Sequence, residues 1–123
     1  MRSAILLVCV GLGCAPVEAD DLGRALFEGC RACHALDPAA QGMAGPSLSG
    51  LLGRRIGGDQ NFDYSPVLKQ ARASNVVWTP ERLDAFLIDP EAMFPGMWMT
   101  ARAIADPVER NALVRFLADQ NQR

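Results

Sequence analysis

Residues 29–36 read Gly29-Cys30-Arg31-Ala32-Cys33-His34-Ala35-Leu36 and hold the chain's one histidine and the only two cysteines beyond residue 14. A C-x-x-C-H run admits three chemistries: a redox dithiol, part of a metal site, or the point where a haem is bonded to the polypeptide. Each chemistry needs different surroundings, so the rest of the chain chooses among them.

A thioredoxin-like dithiol needs C-x-x-C at the start of a helix beside a βαβ unit, where the helix dipole lowers the thiol pKa. This chain shows no strand-length alternation and no repeat. A structural zinc site needs four tetrahedral ligands, and only Cys30, Cys33 and His34 are available before carboxylates are recruited. Covalent haem uses all three residues. Two thiols about one helical turn apart add to the two vinyl groups, and the adjacent imidazole is held under the iron.

The start of the chain agrees with that choice, because covalent haem is attached after export. Arg2 precedes the apolar run Ile5-Leu6-Leu7-Val8-Cys9-Val10, which leads through Gly11-Leu12-Gly13 to Val17-Glu18-Ala19. Charge, apolar run and small-residue exit make residues 1–19 a secretory signal, with cleavage after Ala19 and a mature domain over residues 20–123. The apolar stretch is too short to span a bilayer. A second exit is a lipoprotein signal ending before Cys14, which would leave a lipid anchor there and tether the protein to the membrane; Gly11 stands where a leucine would be expected. Cleavage at Ala19 removes Cys9 and Cys14, so no disulfide framework competes for Cys30 and Cys33.

Composition sets further bounds. The 123 residues suit one domain. A net charge of -2 and a pI near 5.3 provide no broad positive field for nucleic acid. No segment is long and apolar enough to be read as a transmembrane helix.

The periodicities predict short helices separated by long loops. Asp20 and Asp21 open the first, in which Leu22, Ala25 and Leu26 share a face, and Gly29 ends it. Residues 39–58 are rich in Gly, Pro and Ser and read as an ordered loop with one helical turn over residues 48–51. Ser65-Pro66 and Thr79-Pro80 are cap-then-proline starts, with residues 76–78 extended between them. The second of these helices carries Leu83, Phe86 and Leu87 on one face and stops before Pro90. The last helix starts at Asp106-Pro107, has Glu109 placed for a capping box, and turns Ala112, Leu113, Phe116 and Leu117 inward. Four to five short helices bury little apolar surface, so something else should fill the middle. A low-spin carrier also needs a sixth iron ligand, commonly methionine sulfur. Met43, Met93, Met97 and Met99 are all candidates on spacing and type.

Beyond the attachment run, separated motifs occur in order. They are Gly23 and Phe27, Gly45-Pro46-Ser47-Leu48, Gly53-Arg54, Phe62-Asp63-Tyr64-Ser65, Val77-Trp78, Asp89-Pro90, Pro95-Gly96-Met97-Trp98-Met99 and Glu109-Arg110 through Phe116-Leu117. In this series the chain resembles the class I c-type cytochromes, in particular the bacterial c2 and mitochondrial-like branch. The resemblance implies an all-α fold, the small class I cytochrome c fold, wrapped around one covalent haem c. It places the axial sulfur on Met99 opposite His34, and the thioethers on Cys30 and Cys33. It gives the Pro46 carbonyl the other ring N–H of His34, and sets Arg54, Tyr64 and Trp78 at the haem propionates. It implies close crossing of Gly23 and Phe27 against Leu113 and Phe116.

The departures from that family are informative. Phe86 stands where relatives have a tyrosine whose hydroxyl reaches the axial sulfur, Met97 where they have threonine, and Leu68 where they have asparagine. An internal water needs several polar partners, so the methionine side of the haem is expected to be drier. The lysines that steer relatives onto acidic partners are also missing. Lys69 is the only lysine, Glu91 and Ala92 follow Asp89-Pro90, and Trp98 precedes Met99. Trp98 is expected near the exposed haem edge.

The resemblance implies a periplasmic single-haem monomer, not an enzyme, cycling Fe(II)/Fe(III) between redox partner proteins, a reductase or dehydrogenase on one side and an oxidase or reductase on the other. A dedicated acceptor subunit for one periplasmic dehydrogenase is the alternative. A gas-binding or peroxide-reducing haem protein is disfavoured, since no second histidine is available as distal base.

Overall fold

Acidic residues and spaced apolar ones start the first helix, as expected, and it reaches slightly further upstream. The structure, a computed structural model, describes residues 18–121. The export signal expected over residues 1–19, Glu18 and Ala19 excepted, lies outside them, as does Cys14. Five helices appear in order: α1 Ala19–Phe27, α2 Pro66–Ala73, α3 Pro80–Ile88, α4 Pro90–Met93 and α5 Pro107–Gln120. Every helix after α1 begins at a proline, whose fixed φ suits the first turn and whose missing N–H costs nothing there. Among the described residues the only extended pairing is a single antiparallel bridge between Arg55 and Val77.

The caps depart from expectation in part. Thr79 Oγ1 accepts the N–H of Arg82 at 3.2 Å, and Asp106 Oδ1 accepts that of Val108 at 2.8 Å. Ser65 precedes α2 but makes no side-chain cap; its hydroxyl is buried without a partner. Glu109 makes no return bond to Asp106 among the described residues, so the capping box is only half formed. Residues 48–51 make a turn rather than a helical one. Pro90 does end α3, yet Asp89 then caps the short α4 by accepting the N–H of Ala92. On α1 the buried face is Gly23 and Phe27, flanked by Leu22 and Leu26, while Ala25 faces solvent.

The core is one cluster in which α1 and α5 cross and α3 packs against α5. Phe27 and Leu113, each 1% exposed, lie at its centre, and the Phe27 and Phe116 rings are 5.5 Å apart. The crossing depends on Gly23. A Cβ there would run into the Ala112 carbonyl oxygen and lie 2.7 Å from Phe116 Cβ, so the backbones meet where only glycine fits. Leu51, Ile56, Trp78, Phe86, Leu87 and Met97 are also in the cluster, and Cys30, Leu68 and Met99 are among the residues packed onto its margin. Gly23→Ala should therefore lower the unfolding free energy by about 1–3 kcal/mol through overpacking, despite the better helix propensity of alanine. Urea unfolding of the two proteins measures this, and equal stability would show that the crossing relaxes freely.

Candidate functional site

The attachment run is positioned by the end of α1. The N–H of Cys30 donates to Phe27 O at 2.8 Å, and those of Cys33 and His34 donate to Cys30 O at 3.1 and 3.0 Å. The two thiols and the imidazole thus share one tight turn that continues directly from the buried Phe27. Neither cysteine is in a disulfide among the described residues; Cys30 is partly buried and Cys33 exposed. Burial pushes the Cys30 thiol up from its ordinary pKa.

His34 is buried, 6% exposed. Its Nδ1 lies 2.7 Å from Pro46 O, and because a carbonyl only accepts, Nδ1 carries the proton and donates it. Nε2 is then the nitrogen left with a free lone pair, the tautomer a metal ligand needs. Burial lowers the His34 pKa, the Pro46 bond opposes that shift, and the positive charge of Arg54 adds to it. The net result is a neutral ring. Gly45 makes room for it: a Cβ there would collide with His34 Cε1 and lie 2.7 Å from Nδ1. The loop is closed around the ring by Gly45 N–H to Cys33 O at 2.9 Å and Leu48 N–H to Ala35 O at 2.8 Å.

The three residues expected at the propionates are brought together. Trp78 N–H donates to Arg54 O at 2.9 Å, and Gly53 N–H donates back to Trp78 O at 2.8 Å. The Arg54 guanidinium donates to Ser47 O at 2.6 Å and stands 3.8 Å from Asp59, whose own N–H donates to the Tyr64 hydroxyl at 3.2 Å. Burial raises the Tyr64 pKa, so its hydroxyl stays protonated and able to donate. Asp59 is a member of this group that sequence reasoning missed; nothing in its local pattern marks it.

Across the cluster, Phe86 is buried at 5.3 Å from Trp78 and 6.1 Å from Phe94, forming an aromatic wall. Met97 is buried at 7% exposure, whereas Met99 is only half-buried at the core margin. Trp98 between them is 61% exposed, as expected for a rim residue. Arg110 was also missed: on α5 it is 9% exposed and bonds the Asp84 carboxylate and two carbonyls of the segment after Met99.

The donor set fits a covalent haem. Two free thiols and a neutral imidazole with Nε2 available share one turn, and a glycine leaves space for the ring. No protein-family model matches the chain. Known proteins do. It is 40% identical over 95 residues to a cytochrome c2 of Agrobacterium tumefaciens, covering 77% of this chain and 86% of that one. The solved structure of cytochrome c2 from Rhodospirillum centenum superposes with a TM-score of 0.74 at 31% identity, covering 81% of this chain and 96% of that one. Ferricytochrome c2 from Rhodopseudomonas palustris also superposes with a TM-score of 0.74, at 30% identity, covering 84% and 99%. With the fold, the attachment turn and these relatives in agreement, the chain belongs to the bacterial cytochrome c2 family of class I c-type cytochromes, single-haem electron-transfer proteins carrying one covalently bound haem c.

Proposed function

We propose that the chain is a periplasmic electron carrier, not an enzyme, whose haem is seated by Cys30 and Cys33 and ligated axially by His34 and Met99. Residues 1–19 serve as the export signal, and residues 20–123 form the working domain. The observation that carries the ligation reading is the buried His34 ring, its tautomer set by Pro46 and its space by Gly45. When bound, the haem supplies a one-electron Fe(III)/Fe(II) couple. The residues of the chain do the rest. Pro46 holds the Nδ1 proton so that Nε2 remains basic. Arg54, Tyr64 and Trp78 supply donors on the propionate side. Phe86, Met97 and Leu68 exclude water on the methionine side. Because the residues on this side are apolar, few dipoles have to reorient when the charge at the centre changes.

On partners, the rim is distinctive. Lys69 is taken up by Asp63 at 2.6 Å, and Glu91 accepts the Gly96 N–H at 2.9 Å. What stands next to Met99 in the chain is the exposed indole of Trp98. That supports a partner surface that is apolar rather than strongly acidic, and it favours as a second reading a dedicated acceptor for one periplasmic dehydrogenase.

Three measurements test these readings. Visible spectra of the purified exported protein should show the weak red-end band of a methionine-ligated ferric haem. That band should be lost in Met99→Ala and kept in Met97→Ala; the reverse pattern would assign the ligand to Met97. A high-resolution crystal structure of the holoprotein should show no ordered water between Phe86, Leu68 and Met99, and one found there would refute the dry wall. The rate of oxidation by a lysine-selective oxidase should change little between low and physiological ionic strength, over which screening shortens from about 30 to about 8 Å. A steep fall would show that charge steering persists.

A further inference from the structure

Met99 lies in a stretch of chain that holds itself poorly. Among the described residues, no hydrogen bond involves the backbone of residues 98–103, and of these only Met99 and Ala101 are even half-buried. The stretch is fixed at its two ends. Upstream, Met97 N–H donates to Phe94 O at 3.1 Å, and the Met97 side chain is in the core. Downstream, Ile104 N–H donates to Leu87 O at 2.9 Å and its side chain packs against the core, and the remaining hydrogen bonds at that end come from one side chain.

That side chain is Arg110. Its Nε donates to Asp84 Oδ1 of α3 at 2.9 Å, and its Nη1 donates to Ile104 O at 2.9 Å and Ala105 O at 2.8 Å. A buried guanidinium is costly unless it is paired and hydrogen-bonded, and here its partners come both from α3 and from the segment that leads into α5. Charge-assisted bonds of this kind are about twice as strong as neutral ones. The planar fork also fixes direction, which a lysine ammonium cannot do. Two of the three acceptors, Ile104 O and Ala105 O, lie directly after the arm, so the position of its downstream end relative to α3 and α5 is set by this group.

We propose that Arg110 is a positioning residue for the axial methionine, the clamp that determines how readily the arm of residues 98–103 opens and withdraws the Met99 sulfur. This rests on the reading of Met99 as the ligand. An arm without internal bonds opens as a unit at low cost, and the cost is set where its ends are tied. Asp84 anchors the clamp to α3, the helix that also carries Phe86, so sulfur and apolar wall are held in register by one ion pair.

The test uses the ferric holoprotein with imidazole as a competing iron ligand, since imidazole gains the position only when the arm opens. Wild type, Arg110→Met, Arg110→Lys and the control Leu117→Ala are compared for imidazole affinity, the red-end band and the urea midpoint. Leu117 is buried in α5 at 3% exposure, and its side chain makes none of the hydrogen bonds that tie the arm's ends. Losing the charge-assisted bonds should tighten apparent imidazole binding about ten-fold or more in Arg110→Met. Arg110→Lys, which keeps the charge but cannot reach all three acceptors, should fall between it and wild type. Leu117→Ala should lower the urea midpoint while leaving imidazole affinity within about two-fold of wild type. If Arg110→Met does not accumulate as holoprotein, Arg110→Lys carries the comparison. The proposal is overturned if the Arg110 variants shift the urea midpoint but bind imidazole as wild type does, or if Leu117→Ala raises imidazole affinity equally. Absence of the band from wild type would instead remove Met99 as ligand, so the two failures are distinct.

Discussion

The His34 Nδ1–H bond to Pro46 O is the constraint on which the remainder depends. It joins residues twelve apart and does two things at once: it sets the tautomer that makes Nε2 a ligand, and it closes the loop from Cys33 to Leu48 around the ring. The loop can close only because Gly45 has no side chain where the imidazole lies. The same loop presents Ser47 O to Arg54 at 2.6 Å, and Arg54 is tied through its own backbone to Trp78. Histidine, arginine and tryptophan are therefore one mechanical assembly, and a change in the Gly45-Pro46-Ser47 run would move all three.

The second support is the α1 and α5 crossing. Phe27 is buried in that crossing, and Cys30 N–H bonds its carbonyl, so the position of the thiols follows from how closely Gly23 allows the helices to approach. Little of the chain between α1 and α2 is regular, and its order comes from these side-chain and backbone ties to the attachment turn. A haem seated there supplies the apolar mass that short helices lack, consistent with a core whose margin is formed by Cys30, Leu68 and Met99.

What was legible in the sequence follows from locality. The attachment run, the proline starts and the inward face of α5 each need only a few consecutive residues; the four helices that begin at proline and the buried face of α5 appear as expected, with side-chain caps at Thr79 and Asp106. Ser65 shows the limit of that reasoning: it occupies the cap position, but its hydroxyl turns into the core. Ala25 has the helical spacing of a buried residue and faces solvent, because Gly23 and Phe27 direct the contact face around it. Arg110 and Asp59 were illegible for a different reason. Arg110 meets Asp84 across 26 residues and Asp59 meets Tyr64 through its backbone, contacts that no local pattern encodes. The departures at Phe86, Met97 and Leu68 were visible only against the resemblance, since apolar residues at such spacing otherwise mark ordinary core.

Those departures and the clamp bear on each other. The resemblance implies polar groups on the methionine side, with a hydroxyl reaching the sulfur. Here Phe86 and Met97 in the core and Leu68 at its margin pack but do not direct. Packing alone tolerates small slides of a flexible thioether, so with Met99 as ligand, its placement must come from the backbone that carries it. That backbone has no bonds of its own over residues 98–103, so direction has to be imposed from the ends, by Met97 in the core and by the guanidinium of Arg110. On the proposed reading, an apolar pocket requires a polar anchor at a distance, and Arg110 on α5 is the group placed to supply it.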